Sequence, residues 1–146
     1  MEIRRMTEGD LSEVIAIEQD SFSDPWREED FRSSLLDEKN SYLVAVMEDH
    51  VVGYCGCWGI AGEGDIYNVA VKKEFRRQGI GEKLLRTLIQ TSATRGITSF
   101  TLEVRASNTA AISLYQSLGF EAAGIRKDFY TKPKEDAVIM WMHRMQ

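Results

Sequence analysis

The sequence reads as a mixed α/β domain of order β-α-α-β-β-β-α-β-α-β-β, and three observations carry that reading. Ile80, Leu84, Leu85, Leu88, Ile89 and Ala93 recur at the spacing of one helical face. Tyr42 to Met47 and Val51 to Ile60 are β-rich runs separated only by Glu48-Asp49-His50, which reads as a hairpin. Finally, a strand over Asp65 to Val71, a glycine-containing loop, the long helix, a strand over Ser99 to Val104 and another helix follow one another, and such crossovers imply parallel pairing.

The remaining elements follow from local signals. Met1 to Met6 alternates as a first strand, and Thr7-Glu8-Gly9-Asp10 starts a helix carrying Leu11, Val14, Ile15 and Ile17. Asp24-Pro25 opens a second helix, since proline suits the first helical position, with Trp26, Phe31, Leu35 and Leu36 as its apolar stripe. That helix ends before the turn-forming Asp37-Glu38-Lys39-Asn40. Gly96 stops the long helix begun at Ile80. Ser107 or Asn108 caps a helix bearing Ala111, Leu114, Tyr115 and Leu118, and Gly119 ends it. Glu121 to Tyr130 and Ala137 to Met145 close the chain as strands.

A chain of 146 residues, 43% hydrophobic, has the length and apolar content of one core, so residues 1–146 are expected to form a single domain. The longest apolar run, Ala137 to Met142, is too short to cross a bilayer, and MEIRRMTEGD lacks the apolar stretch of a signal peptide. A cytoplasmic location is expected, with no membrane partner. Cys55 and Cys57 would point the same way from a strand but form neither a CxxC motif nor a disulfide framework. Buried thiols in a reducing compartment are the expected reading, and a redox role is the alternative. The net charge of −5 is unevenly spread: residues 1–50 carry 14 Asp/Glu against 5 Lys/Arg, a balance of −9, and the rest carry 9 against 13, a balance of +4. Two binding surfaces of opposite sign or two merely solvated faces both fit this division. Direct nucleic-acid binding is not expected, because it requires a concentrated basic surface.

Lys73 to Leu85, KEFRRQGIGEKLL, places Arg76, Arg77, Gly79 and Gly81 immediately before the long helix. Glycines let the backbone turn and approach a ligand, and a helix start offers unpaired N–H groups and a positive dipole end. The segment therefore reads as an anion cradle, with phosphate the expected occupant. It is not a Walker loop, and Leu84 stands where a dinucleotide fingerprint needs its third small residue. A plain glycine-rich connection with surface arginines is the alternative.

The order Asn68-Val-Ala-Val71, RxxGxG, long helix, Leu102-Glu-Val-Arg105, then Asn108-xx-Ala111-xx-Leu114-Tyr115-xx-Leu118-Gly119-Phe120 resembles the GCN5-related N-acetyltransferase superfamily. The LEVRxSNxxAxxLYxxLGF run and Ser21-Phe22-Ser-Asp-Pro25-Trp26 through Phe31 resemble its branch of ribosomal-protein-alanine N-acetyltransferases. The resemblance implies the acyl-CoA N-acyltransferase fold and acetyl-CoA as co-substrate. It further implies that Val69, Ala70 and Val71 lend backbone groups to the pantetheine arm, that Arg76, Arg77, Gln78, Gly79, Ile80, Gly81 and Glu82 wrap the pyrophosphate, and that Asn108 contacts the coenzyme from the other side. Glu103 would be the general base and Tyr115 the general acid. The implied acceptor is the N-terminal segment of a ribosomal protein, with its alanine amine as nucleophile; a small amine, a protein lysine, or no turnover at all in a coenzyme-binding module are the alternatives.

The chemistry is consistent with those types. An α-amine with a pKa near 8 is roughly 10% neutral at pH 7, whereas a lysine near 10.4 is far below about 1% neutral. A carboxylate can take the amine proton, and a phenol can protonate the departing thiolate. Each residue also has a plainer role: Glu103 could pair with Arg105 or Arg126, and Tyr115 could simply pack beside Ala111 and Leu118. His50 and His143 lack metal-ligand spacing with any Cys, Asp or Glu, so no metal is expected. The resemblance implies an acceptor groove lined by the N-terminal helices and the last β-connection, where negative charge would attract a basic peptide. Trp26, Phe129 and Tyr130 are aromatic candidates for that groove, or else core residues, and Lys132 and Lys134 bring positive charge to its entrance.

Overall fold

The computed structural model describes residues 1–143. Seven strands form one sheet: β1 (Glu2–Arg5), β2 (Asn40–Met47), β3 (His50–Ile60), β4 (Glu63–Val71), β5 (Ser99–Arg105), β6 (Glu121–Thr131) and β7 (Lys134–His143). Their spatial order is β1-β2-β3-β4-β5-β7-β6. Four helices cover it: α1 (Leu11–Ser21), α2 (Glu28–Leu36), α3 (Ile80–Ala93) and α4 (Thr109–Ser117). The expected mixed α/β order is the observed one. The part of the last expected strand beyond His143 lies outside the described residues.

Two buried layers face opposite sides of the sheet. One gathers Leu84, Leu85 and Leu88 of α3, Tyr115 of α4, and Phe100, Leu102 and Val104 of β5. The other gathers Leu11, Val14 and Ile17 of α1 and Phe31 of α2 against Val44, Tyr54 and Ala70. Within α3 the buried stripe ends on Ser92 rather than on the expected Ala93, because position 92 lies one further heptad step below Leu85. Cys55 and Cys57 are free and buried, and burial raises both thiol pKa values, so neither is a ready nucleophile.

Three details depart from the sequence reading. The β2–β3 turn consists of Glu48 and Asp49, both with positive φ (50° and 65°), and His50 already belongs to β3. This is the twist that suits a two-residue hairpin. Pro25 does not open the second helix. Helix α2 starts at Glu28, where Asp30 accepts the Arg27 N–H at 2.9 Å, while the Trp26 N–H is drawn 2.9 Å from the Glu18 carboxylate and holds the preceding segment outside the helix. The second crossover does not yield a parallel pair either. Strand β7 inserts between β5 and β6, antiparallel to both. It carries buried Ala137, Met140 and Met142, whereas β6 is exposed along nearly its whole length, so the apolar strand takes the inner place.

Candidate active site

The site begins with a fault in the sheet. Strands β4 and β5 pair in parallel only from Glu63↔Ser99 to Ile66↔Leu102. On the other side of β4, Cys57 pairs with Ile66 but Gly56 pairs with Asn68, so Tyr67 is a surplus residue. A bulge of this kind bends its strand and raises the local twist. Beyond it, Val69, Ala70 and Val71 remain paired to β3 but have no partner on the β5 side. They form a free strand edge inside the sheet, able to pair with an extended ligand.

The loop expected to hold an anion lies at the end of that edge. Arg77 and Gly79 have positive φ (64° and 80°), and Gly79 stands at the N-cap of α3. The first helical bond runs from the Lys83 N–H to the Gly79 carbonyl at 3.1 Å, leaving the N–H groups of Ile80, Gly81 and Glu82 without helical acceptors. A Cβ on Gly81 would meet only ordinary contacts, Leu114 at 3.6 Å and Val71 at 3.8 Å. The protein's own packing therefore does not require glycine there, and the surface beside it is open to a ligand. These donors and that open surface fit a pyrophosphate. Arg76 is committed elsewhere, donating to the Val71 carbonyl at 2.9 Å and to Ser21 Oγ at 3.5 Å. Arg77 and Gln78 are exposed, with no side-chain partner among the described residues. The Glu82 carboxylate turns along the helix toward Arg86 at 3.6 Å. Asn108 caps α4 by accepting the Ala111 N–H at 3.1 Å, which leaves its Nδ2 available.

Glu103 lies on the other face of β5 from Leu102 and Val104, 3.3 Å from Arg126 Nε and partly exposed. Of the two arginine partners considered for it, the structure selects Arg126. It opens on a cleft of about 800 Å³ lined by Glu18, Phe22 and Trp26 on the α1–α2 side, Tyr67 of β4, and Phe129 and Tyr130 of the β6–β7 hairpin. The structure thus brings Glu103 together with Trp26, Phe129 and Tyr130, and Lys132 borders the same cleft. A second cavity, about 580 Å³ between α2, β2 and the end of α3, contains none of the expected residues.

Tyr115 lies behind the sheet, buried in the α3–α4 layer with its ring 6.0 Å from Phe120. Burial, assisted by Tyr130 and Cys55, pushes its phenol up to about 12, so it remains a proton donor at neutral pH. Tyr130 feels both proposed catalytic groups. Its own pKa is raised by burial and by Glu103, and it in turn raises that of Tyr115.

Three groups were not foreseen. Arg105 donates to the carbonyls of Pro133 (2.9 Å) and Lys132 (3.2 Å) and to Ser23 Oγ (3.3 Å), pairs with Glu135, and lies 4.2 Å over the Tyr130 ring. It ties the hairpin to the α1–α2 connection across the cleft. Glu18 and Asn68 form a buried polar pair at the cleft floor. A signal for Glu18 was present, since it occupies a stripe position after Leu11, Val14 and Ile15 where an apolar residue is the rule. Among the described residues no cluster of His, Cys, Asp and Glu could hold a metal, and no helix is long and apolar enough to cross a membrane.

Comparison with known proteins gives a consistent context. Residues 11–120 match the acetyltransferase (GNAT) family. The [ribosomal protein bS18]-alanine N-acetyltransferase of Salmonella typhimurium is 39% identical over 133 residues, 90% of this chain and 89% of that one. The crystal structure of the ribosomal-protein-S18-alanine N-acetyltransferase from Escherichia coli superimposes with a TM-score of 0.91 at 36% identity, covering 99% of this chain and 95% of the other. A ribosomal-protein-alanine N-acetyltransferase from Brucella melitensis gives 0.87 at 27% identity, with 98% and 99% covered.

Proposed function

The chain belongs to the acetyltransferase (GNAT) family, and on that premise we propose that residues 1–146 act as one catalytic unit that acetylates the N-terminal alanine amine of a ribosomal protein. It is an acetyl-CoA-dependent N-acetyltransferase. The observation that carries the acceptor assignment is the likeness, over nine-tenths of the chain or more, to enzymes named for the alanine of ribosomal protein bS18. A ribosomal substrate also puts the enzyme's work in the cytoplasm.

Acetyl-CoA supplies an activated thioester, and the chain's own groups supply the rest. The N–H groups of Ile80, Gly81 and Glu82, with Arg77 at the mouth, hold the pyrophosphate, and Asn108 Nδ2 approaches from α4. The unpaired edge at Val69, Ala70 and Val71 holds the extended arm and aims the thioester at the gap between β4 and β5. An N–H near Val71 polarises the acetyl carbonyl as negative charge develops on it. Glu103, on the cleft side, takes the amine proton directly or through a water. Tyr115, on the coenzyme side, gives its proton to the departing sulfur. The bulge at Tyr67 supports this division, because it opens the sheet between the two faces that bear the base and the acid.

The test incubates the protein with acetyl-CoA and peptides that differ only in their first residue, with free or blocked N-termini or with a lysine as the sole amine, and follows thiol release. Release with the Ala-first peptide, abolished by blocking its N-terminus, is expected. Release only with lysine or with small amines would sink the assignment.

A further inference from the structure

The floor of the acceptor cleft holds a carboxylate without a counter-ion. Glu18 is 2% exposed, and no lysine, arginine or histidine pairs with it among the described residues. Burying an unpaired charge is costly unless hydrogen bonds or a cation offset it. Three donors are present: the Tyr54 hydroxyl, the Trp26 N–H at 2.9 Å and Asn68 Nδ2 at 3.4 Å. An ionised carboxylate offers about four acceptor positions, so one remains. Beside it, Asn68 is 4% exposed and its Oδ1 has no donor among the described residues. Buried amide oxygens are almost always paired, so this position accepts a donor from outside the chain, a water in the free protein or a ligand group that displaces it. Both side chains line the same cleft as Glu103, next to the bulge where β4 leaves β5.

What this pair lacks is a cation with several N–H donors. A primary ammonium has three, and an N-terminal amine arrives mostly in that form at neutral pH. We propose that Glu18 and Asn68 form the ammonium-recognition point of the acceptor cleft, receiving the charged amine before Glu103 removes its proton. The inference rests on the reading of this cleft as the acceptor side. It separates two tasks between two carboxylates: the buried Glu18 attracts and seats the amine, and the more exposed Glu103 handles the proton. A low-dielectric wall strengthens the attraction relative to the same charge in water.

A purely bracing role, in which Glu18 only fixes the α1–α2 connection through Trp26, predicts a different result. The experiment titrates the full chain, saturated with CoA, with three peptides of one sequence: a free N-terminal Ala, its N-acetyl form, and an analogue whose amine is replaced by hydroxyl. The free amine should bind about tenfold or more tightly than either neutral peptide, as expected for hydrogen bonds to a charged group. In Glu18→Gln that preference should disappear while the neutral peptides bind as before, and Asn68→Leu should reduce it. Equal affinity for all three peptides in the unaltered protein overturns the proposal, and this arm needs no variant to fold. A Glu18→Gln protein that keeps the preference, or that loses affinity for all three equally, also overturns it. If no Ala peptide is acetylated but a small primary amine still outcompetes its hydroxyl counterpart through Glu18, the ribosomal assignment fails and the recognition point stands. If the Ala peptide is acetylated without any such preference, the recognition point fails and the assignment stands.

Discussion

At the scale of single residues, the two proposed proton carriers differ in what surrounds them. Glu103 is partly solvated and shares its charge with Arg126 at 3.3 Å, whereas Tyr115 is enclosed and its phenol is pushed up to about 12. Glu103→Gln and Tyr115→Phe should each lower turnover by roughly a hundredfold or more, within the range of general acid–base catalysis, with acetyl-CoA affinity nearly unchanged. Single-turnover rates beside coenzyme titrations check this, and full rate in either variant removes that residue from the mechanism. The Tyr115 shift also bears on stability. Its folded pKa lies above the reference value near 10, so the neutral form stabilises the fold fully below pH 10 and that contribution is lost as pH rises toward about 12. Residues with a role visible in their type were legible in the sequence. Glu18 and Asn68 were not assigned: a polar residue in the α1 stripe marks Glu18, but its pairing with Asn68 and the unpaired Asn68 Oδ1 emerge only from the three-dimensional accounting of donors and acceptors.

At the scale of elements, the start of α3 combines two glycines with different causes. Gly79 is required by its backbone, at φ +80°, and Gly81 is helical with room for a methyl group. Gly81→Ala should therefore leave the fold intact or stabilise it by about 0.5–1 kcal/mol, the usual gain for alanine over glycine in a helix, while weakening acetyl-CoA binding. Gly79→Ala should instead destabilise the free protein. Melting temperatures without coenzyme, read beside coenzyme Kd values, separate the two effects; unchanged affinity in Gly81→Ala would mean that no ligand approaches there. Helix α3 and helix α4, with Asn108 at its cap and Gly119 at φ +104° past its end, were readable from periodicity and capping alone. The start of α2 was not, because the Glu18 carboxylate, eight residues earlier on α1, claims the Trp26 N–H, and this contact between elements outranks the proline signal. The insertion of β7 was hidden for a similar reason, since sequence order says nothing of which strand of a hairpin will face inward.

At the scale of the molecule, the charge division read from the sequence maps only partly onto the fold, because acidic residues from both parts of the chain meet at one cleft. Glu18 and Asp24 from the first fifty residues and Asp65 and Glu103 from the remainder border the proposed acceptor cleft, where Lys132 also lies, while Arg126 pairs with Glu103 and Arg105 with Glu135. Raising salt from low concentration to about 0.5 M, where the screening length shrinks to a few ångströms, should raise KM for a basic acceptor peptide several-fold and leave kcat nearly constant. Steady-state rates across a salt series check this, and a KM insensitive to salt would show that the acidic border does not steer the acceptor. A continuous seven-stranded sheet would keep two reactants on its opposite faces apart. On the proposed mechanism the two reactants meet instead where β4 loses its β5 partner, just past the surplus residue Tyr67. Were that residue absent and the two strands paired to their ends, the helices and the core could stand unchanged while the proposed substrates waited on either side of a closed wall.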